Sequence, residues 1–253
     1  MKIALLSDIH GNSIALNAVL LDISAKGGAD GYWILGDLVA LGPDPVGVLE
    51  RLVTLPDLCM IRGNTDRYVT RGDRPSPSLE EAAADPRLLP ALVEVAHTFA
   101  WTQGMVTAAG WLFRLSNLPL ELNVTLPNGT RFLGVHASPG RDDGDGIRPG
   151  MTASELEAMF KNCPADLVCM GHTHQPSEQR WKDIHIVNLG AVSLSLTPDK
   201  RASYVMLDAG SEGYTIAHHQ VDYDRLAVID QLNQLRHPGR DFLIRHLSGL
   251  ITV

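Results

Sequence analysis

The chain predicts an α/β fold, and three observations carry that reading. Short apolar runs recur along the sequence, too short for helices and rich in Ile, Leu and Val. Amphipathic stretches at helical spacing separate the first three of them. Polar residues of metal-ligand type close most of these runs, as ligand-binding residues do at the carboxyl ends of strands in α/β sheets.

The elements follow in order. Residues 3–7 form the first strand, ending at Asp8. Ile14, Leu16, Val19, Leu20 and Ile23 keep helical spacing up to Gly27-Gly28. Residues 32–35 read as a second strand before Gly36-Asp37, residues 46–55 as a helix, and residues 58–61 as a third strand before Gly63-Asn64. Between 67 and 130 the ligand signatures stop. Helical stretches are expected at about 78–84, 88–101 and 107–115, read as an inserted cap beside the site or, alternatively, as a layer packed on the sheet. Residues 131–136 resume the strand-then-ligand pattern at His136. A helix is expected over 152–160, with Thr152 and Glu155 as a capping box. Strands follow at 167–170, 184–188, 202–208 and 214–223, and a helical tail from 224 is broken at Pro238-Gly239. The expectation is one domain spanning 1–253.

Bulk properties narrow the function. A net charge of −8 argues against a general nucleic-acid or membrane surface, which would be basic. Three cysteines without CxxC spacing argue against a disulfide framework and for a reducing compartment. The apolar N-terminus reaches Asp8 and His10 too soon for a signal-peptide core, so it reads as a buried strand and the expected location is cytoplasmic.

Seven residues of metal-ligand type stand at the ends of five runs: Asp8, His10, Asp37, Asn64, His136, His172 and His174. Any one of them alone is more often structural. His97, His185, His218, His219, His237 and His246 lack such context and are read as structural. The ordered set is different, because oxygen and imidazole ligands from five loops can enclose two divalent cations. Such a pair suits phosphate-ester hydrolysis.

The blocks Asp8-x-His10, Gly36-Asp37, Gly63-Asn64-Thr65-Asp66, His136 and Gly171-His172-Thr173-His174 resemble those of the calcineurin-like metallophosphoesterase superfamily, in the same order. The pairing of Gly36-Asp37-Leu38-Val39 with Gly42-Pro43-Asp44-Pro45 is similar to a small prokaryotic phosphodiesterase-like branch. The resemblance implies a two-sheet α/β/β/α sandwich. It implies that Asp8, His10, Asp37 and His174 hold one metal, and that Asp37, Asn64, His136 and His172 hold the other, with Asp37 bridging. Mn²⁺ leads, with Fe, Zn²⁺ and Ni²⁺ as alternatives. The implied reaction is attack by a metal-bridging hydroxide on a small phosphodiester or nucleotide-type ester. Dinucleoside polyphosphate hydrolysis and protein phosphatase activity are the alternatives, and a metal-binding scaffold that has lost turnover is a third.

Departures bear on substrate. Many relatives carry histidine after Gly-Asn; here it is Thr65, which cannot act as a cation near pH 7. General acid catalysis is worth roughly 10²–10⁴-fold, so poor leaving groups should suffer. Phosphoprotein phosphatases carry an arginine where this chain has Leu41. Arg67, Arg141 and Arg148 are candidate replacements, against a default of solvent exposure. Asn12, Thr65 and Arg67 are the candidate substrate contacts, Asn12 being also a candidate helix cap. Asp66 is either an orienting group for a metal ligand or a water, or a helix N-terminal carboxylate. The Asn188-Leu189-Gly190 turn is read as architectural.

Overall fold

The structure, a computed structural model, describes residues 1–250. β1 (Lys2–Leu6) leads into α1 (Ser13–Ala25), β2 (Gly31–Leu35), α2 (Pro45–Leu52) and β3 (Leu58–Ile61). Next come α3 (Asn64–Arg71), α4 (Leu79–Ala84), α5 (Leu89–Ala108) and α6 (Leu112–Ser116). β4 (Leu122–Thr125) and β5 (Arg131–Gly134) follow, then α7 (Ala153–Phe160), β6 (Leu167–Met170), β7 (Ser177–Trp181) and β8 (Ile184–Asn188). β9 (Ala202–Gly210) and β10 (Gly213–Val221) precede α8 (Arg225–Gln234) and α9 (Arg240–Leu247).

Two five-stranded sheets result, ordered β10-β9-β1-β2-β3 and β4-β5-β6-β8-β7. The central strands β1, β2 and β3 run parallel, as do β5, β6 and β8. Antiparallel strands complete both edges of the second sheet and one edge of the first. Alternation along the central strands explains the stacking. Ile3 and Leu5 join Phe132, Leu167, Cys169 and Val187 in a core between the sheets. Their neighbours Ala4 and Leu6 pack instead with α1 and α2, while Val168 and Met170 pack with Leu156 and Phe160 of α7. Central strands buried on both faces lose polar alternation and read as continuous apolar runs. The architecture is the expected α/β/β/α sandwich.

Three elements depart from the expected ones. Helix α5 is continuous through Gly104, because one exposed glycine costs only about 1 kcal/mol in a helix interior. β4 ends the segment expected to be wholly helical, and β7 was not expected at all. Both are edge strands whose alternate residues are exposed, so neither carries a dense apolar signal. The helices of the 67–130 segment pack Phe99, Val106 and Leu115 into the same core as α1 and α2. The tail forms α8 and α9 on either side of Pro238-Gly239.

Candidate metal centre

Six of the seven candidate ligands lie on loops that leave the carboxyl ends of β1, β2, β5 and β6, the seventh, Asn64, opens α3 just after β3, and backbone bonds knit several of these segments together. Asp8 N–H donates to Gly36 O at 3.1 Å, His10 N–H to Asp37 O at 2.9 Å, and Gly171 N–H to His136 O at 3.1 Å. Ser193 N–H donates to Asp8 O at 2.9 Å and ties in the turn after β8. Five candidate ligands, Asp8, His10, Asp37, His172 and His174, have φ between 50° and 68°. Asp and His tolerate this left-handed region better than most residues, yet such conformers cost roughly 1–3 kcal/mol each and persist only where surroundings fix them. Glycines make room for the crossing loops. A Cβ on Gly63 would collide with Asp37, and one on Gly171 with Ser7 and Asp8.

The side chains converge. His174 Nε2 lies 3.2 Å from Asp8 Oδ1, and His10 Nε2 lies 3.6 Å from Asp37 Oδ2. His136 Nε2 lies 3.4 Å from Asp37 Oδ1 and 3.0 Å from Asn64 Oδ1, which is 3.1 Å from His172 Nδ1. Asp37 thus turns one oxygen toward each group of imidazoles. Asp8 and Asp37 are buried, and Asp8 also lies beside His10 and His136, the two histidines that face Asp37.

Outer contacts fix the histidines. His10, His136 and His174 each place Nδ1 on a backbone carbonyl, of Ala40, Leu35 and Leu194, at 2.7–3.1 Å. His172 is reversed, with Nε2 2.8 Å from Gly144 O. A ring that donates its outer N–H to a carbonyl turns a lone pair inward. The inward atoms therefore face one another as acceptors: His10 Nε2 and His174 Nε2 are 3.1 Å apart, and His172 Nδ1 and His136 Nε2 are 3.3 Å apart. Asp8 Oδ1 is buried and accepts no hydrogen bond. Protons can supply only part of the missing positive charge. Burial depresses the His136 imidazole, but the Asp37 and Asp8 carboxylates override it and raise it to about 10. Burial dominates at His10 and lowers it to about 4. Burial would raise Asp37, yet His136 and His10 hold it far below the carboxylate range. A nitrogen-and-oxygen acceptor set with too few protons suits divalent cations. Two overlapping triads, Asp8-His10-His174 and Asp8-Asp37-His136, have the spacing to hold one.

Asp66 stands at the start of α3 and reaches two of the segments that carry candidate ligands. At the third position of α3 it accepts from Gly63 N–H at 2.9 Å, and it accepts from Leu38 N–H at 2.9 Å. One carboxylate thereby pins the Asp37 loop to the Asn64 loop. Burial, then the Asp37 charge, raises it to about 7. Asn12 caps α1 through Ala15 N–H at 3.0 Å and donates to Ser193 Oγ at 3.0 Å, so both ends of its amide are engaged within the protein. Thr65 lies at the start of α3 with its Oγ1 buried and unpartnered. Arg67 is not solvated: Asp142, Asp143 and Asp73 engage its guanidinium. Arg148 is half exposed, and Arg141 is exposed.

Two supports stand behind the candidate ligands, Asn188 in the turn read from sequence as architectural and Gly144 in a loop that the sequence reading passed over. Asn188 directs Nδ2 at Gly171 O, Ile147 O and Thr173 Oγ1 and so holds the His172–His174 turn. Gly144 O fixes His172, and Arg67 and Tyr68 fix the neighbouring Asp143. The signal for the first was the strand-end asparagine. The acidic run 142–145 carries no comparable signal, because it reads as a solvated loop.

The chain belongs to the calcineurin-like phosphoesterase superfamily, whose domain model matches residues 1–212. Membership makes it a hydrolase acting on phosphate esters in a family that binds divalent metals. It is 27% identical over 251 residues to an uncharacterized protein of Methanocaldococcus jannaschii, covering 93% of each chain. It is 37% identical over 70 residues to a symmetrical bis(5′-nucleosyl)-tetraphosphatase of Pectobacterium atrosepticum, a match spanning 27% of this chain and 25% of that relative. Two solved structures share the fold. A hypothetical protein of Pyrococcus horikoshii OT3 is 22% identical over 97% of both chains, with a TM-score of 0.80. A metallophosphoesterase from Sphaerobacter thermophilus is 24% identical over 99% of both chains, with a TM-score of 0.76. Among the described residues no helix is long and apolar enough to cross a membrane.

Proposed function

We propose that this protein is a dinuclear metal-dependent phosphohydrolase acting on small phosphodiesters. The observation that carries the reading is Asp37, which turns Oδ1 toward His136 and Oδ2 toward His10 and so suits a bridging carboxylate. Asp8, His10, Asp37 and His174 would hold one cation, and Asp37, Asn64, His136 and His172 the other. Mn²⁺ is the leading candidate for both. Bound there, divalent cations supply a hydroxide near neutral pH and neutralise charge on the phosphoryl oxygens. The remaining work falls to the chain. The carbonyls of Ala40, Leu35, Leu194 and Gly144 keep the imidazole lone pairs inward. Asp66 holds two ligand loops in register, and Thr65 offers an unpartnered hydroxyl to the substrate.

The identity of two residues favours diesters with good leaving groups. Thr65 is a weak acid for a departing alkoxide, and Leu41 provides no phosphate-clamping cation of the protein-phosphatase kind. A dinucleoside polyphosphate is the second reading, favoured by the local likeness to the tetraphosphatase of Pectobacterium atrosepticum. The test is a metal-supplemented screen of aryl phosphomonoesters, aryl phosphodiesters, cyclic nucleotides and dinucleoside polyphosphates. Diester turnover should lead. Absence of turnover on every substrate, with bound metal verified, would leave a binding scaffold instead.

A further inference from the structure

Beside Asn64 and Thr65 a cavity of 290 Å³ opens between α3, α5 and α9. Its walls are largely apolar, from Tyr68, Val95, Phe99 and Leu243. Phe99 meets Tyr68 edge-on, with ring centroids 5.7 Å apart. A second cavity of 430 Å³ lies on the other flank, lined by His172, His174, Arg148 and Gln175. Leu41 and Phe242 line both. The candidate metal centre therefore sits between two cavities, one against Asn64 and Thr65 and the other against His172 and His174. A phosphodiester carries two substituents, and this layout offers each its own place. At 290 Å³ the first cavity has room for a ring-sized substituent of an ester held at the candidate metal centre.

Two polar atoms break the apolar wall. Thr65 Oγ1 and Glu94 Oε1 are buried without a hydrogen-bond partner. No ion pair engages Glu94 among the described residues. A buried acceptor left unpaired is costly unless a donor arrives with a ligand. Phe242 adds an aromatic side chain that is 40% exposed at the boundary of the two cavities. It belongs to α9, beyond the residues that the family model matches.

We infer that the α3–α5–α9 cavity is a subsite for a flat aromatic ester substituent bearing an N–H donor, which Glu94 reads. The inference rests on the phosphoesterase reading above and adds a substrate class to it. Aromatic amines and amino-substituted heterocycles, nucleobases included, have this shape and chemistry. Specificity of this kind comes from two terms. Apolar contact sets preference for the ring, and the Glu94 carboxylate sets preference for the donor on its edge.

The test uses the manganese-loaded enzyme and three methyl phosphodiesters whose second substituent is 2,2,2-trifluoroethyl, phenyl or 3-aminophenyl. Loss of each diester is followed by ³¹P NMR. Wild type should prefer phenyl over trifluoroethyl, and 3-aminophenyl over phenyl by about ten-fold in kcat/KM. Val95→Trp fills the cavity and should lower kcat/KM for the aryl esters about ten-fold more than for the alkyl ester. Ala91→Trp, at the exposed rim, should do the same without disturbing the core and guards against misfolding of the first variant. Glu94→Leu should erase the preference for 3-aminophenyl over phenyl while keeping that for phenyl over trifluoroethyl. Turnover with no aromatic preference, or equal losses on all three esters in both tryptophan variants, overturns the subsite and leaves the phosphoesterase reading intact. A donor preference that survives Glu94→Leu removes Glu94 from the proposal. No turnover of any ester by wild type overturns both.

Discussion

The rim of strand-end loops and the helical wall beside it are built by different rules. At the rim, backbone-to-backbone bonds cross between loops, five candidate ligands sit at left-handed φ, and glycines clear the crossings. Along the α3–α5–α9 wall, side chains leave a cavity, two polar atoms lack partners, and Phe242 stands partly exposed. The rim is over-determined, as a site that must hold ligands in fixed geometry would be. The wall is under-packed, and an under-packed wall can accept a substituent. The difference separates chemistry from selection: rim changes should act on every substrate, and wall changes on some.

The sharpest way to break that division is at Asp37. Asp37→Asn removes a negative charge set against the His136 and His10 imidazoles and should cost more than the roughly 10–100-fold typical of outer partners of a metal site. The loss should be equal on alkyl and aryl diesters. Thr65→Ala should cost less. Comparable small losses in both variants would show that Asp37 does not bridge. Metal removal comes next. Chelation should lower the melting temperature, and Mn²⁺ at about 100 times its Kd should restore about 2.7 kcal/mol. An unchanged melting curve after complete metal removal would sink the dinuclear reading.

The same division explains what was legible beforehand. The rim could be read because each candidate ligand follows a short apolar strand, and the chain writes that as an apolar run closed by Asp, Asn or His. Most strands were legible for the same reason, whereas their stacking as two sheets came from the family resemblance. The supports were harder to see. Asn188 and Gly144 act through geometry set far along the chain, and a backbone carbonyl leaves no mark on residue type. Arg67 reads as a free cation in sequence, yet aspartates up to 76 residues away claim it. The wall was illegible because a cavity is a shortage of packing between α5 and α9, and no local pattern encodes a shortage. The edge strands β4 and β7 failed for a simpler reason, since half of each faces solvent.

Asp66 tests whether the rim is held from outside the ligand set. Asp66→Asn keeps one acceptor oxygen but cannot accept from Leu38 and Gly63 N–H with two. Activity should fall about 10–100-fold, with retained fold by circular dichroism and weaker Mn²⁺ binding by calorimetry. Unaltered metal affinity together with unaltered activity would reduce Asp66 to a helix cap.

The smallest expected effect belongs to the wall and appears with acid. Burial lowers His246 to about 4, with Lys200 contributing, and burial alone lowers His237 to about 4. His246 Nε2 lies 3.1 Å from Ser195 O, and the His237 ring stands edge-on to Trp101 at 4.5 Å. For both, the folded state favours the neutral ring. A histidine whose folded pKa lies below its unfolded value near 6.5 contributes stability that is complete above pH 6.5. That contribution is lost as pH falls toward 4. At pH 5.5 each histidine should remove about 1 kcal/mol. Hydrogen exchange should therefore quicken in α9 between pH 7.5 and 5.5, after correction for the intrinsic rate, and His246→Gln should lose part of that acid step. The aromatic preference should weaken over the same interval, because α9 carries Phe242 and Leu243. An α9 whose corrected exchange ignores pH, in wild type and variant alike, would show that the wall is held by contacts other than these two rings.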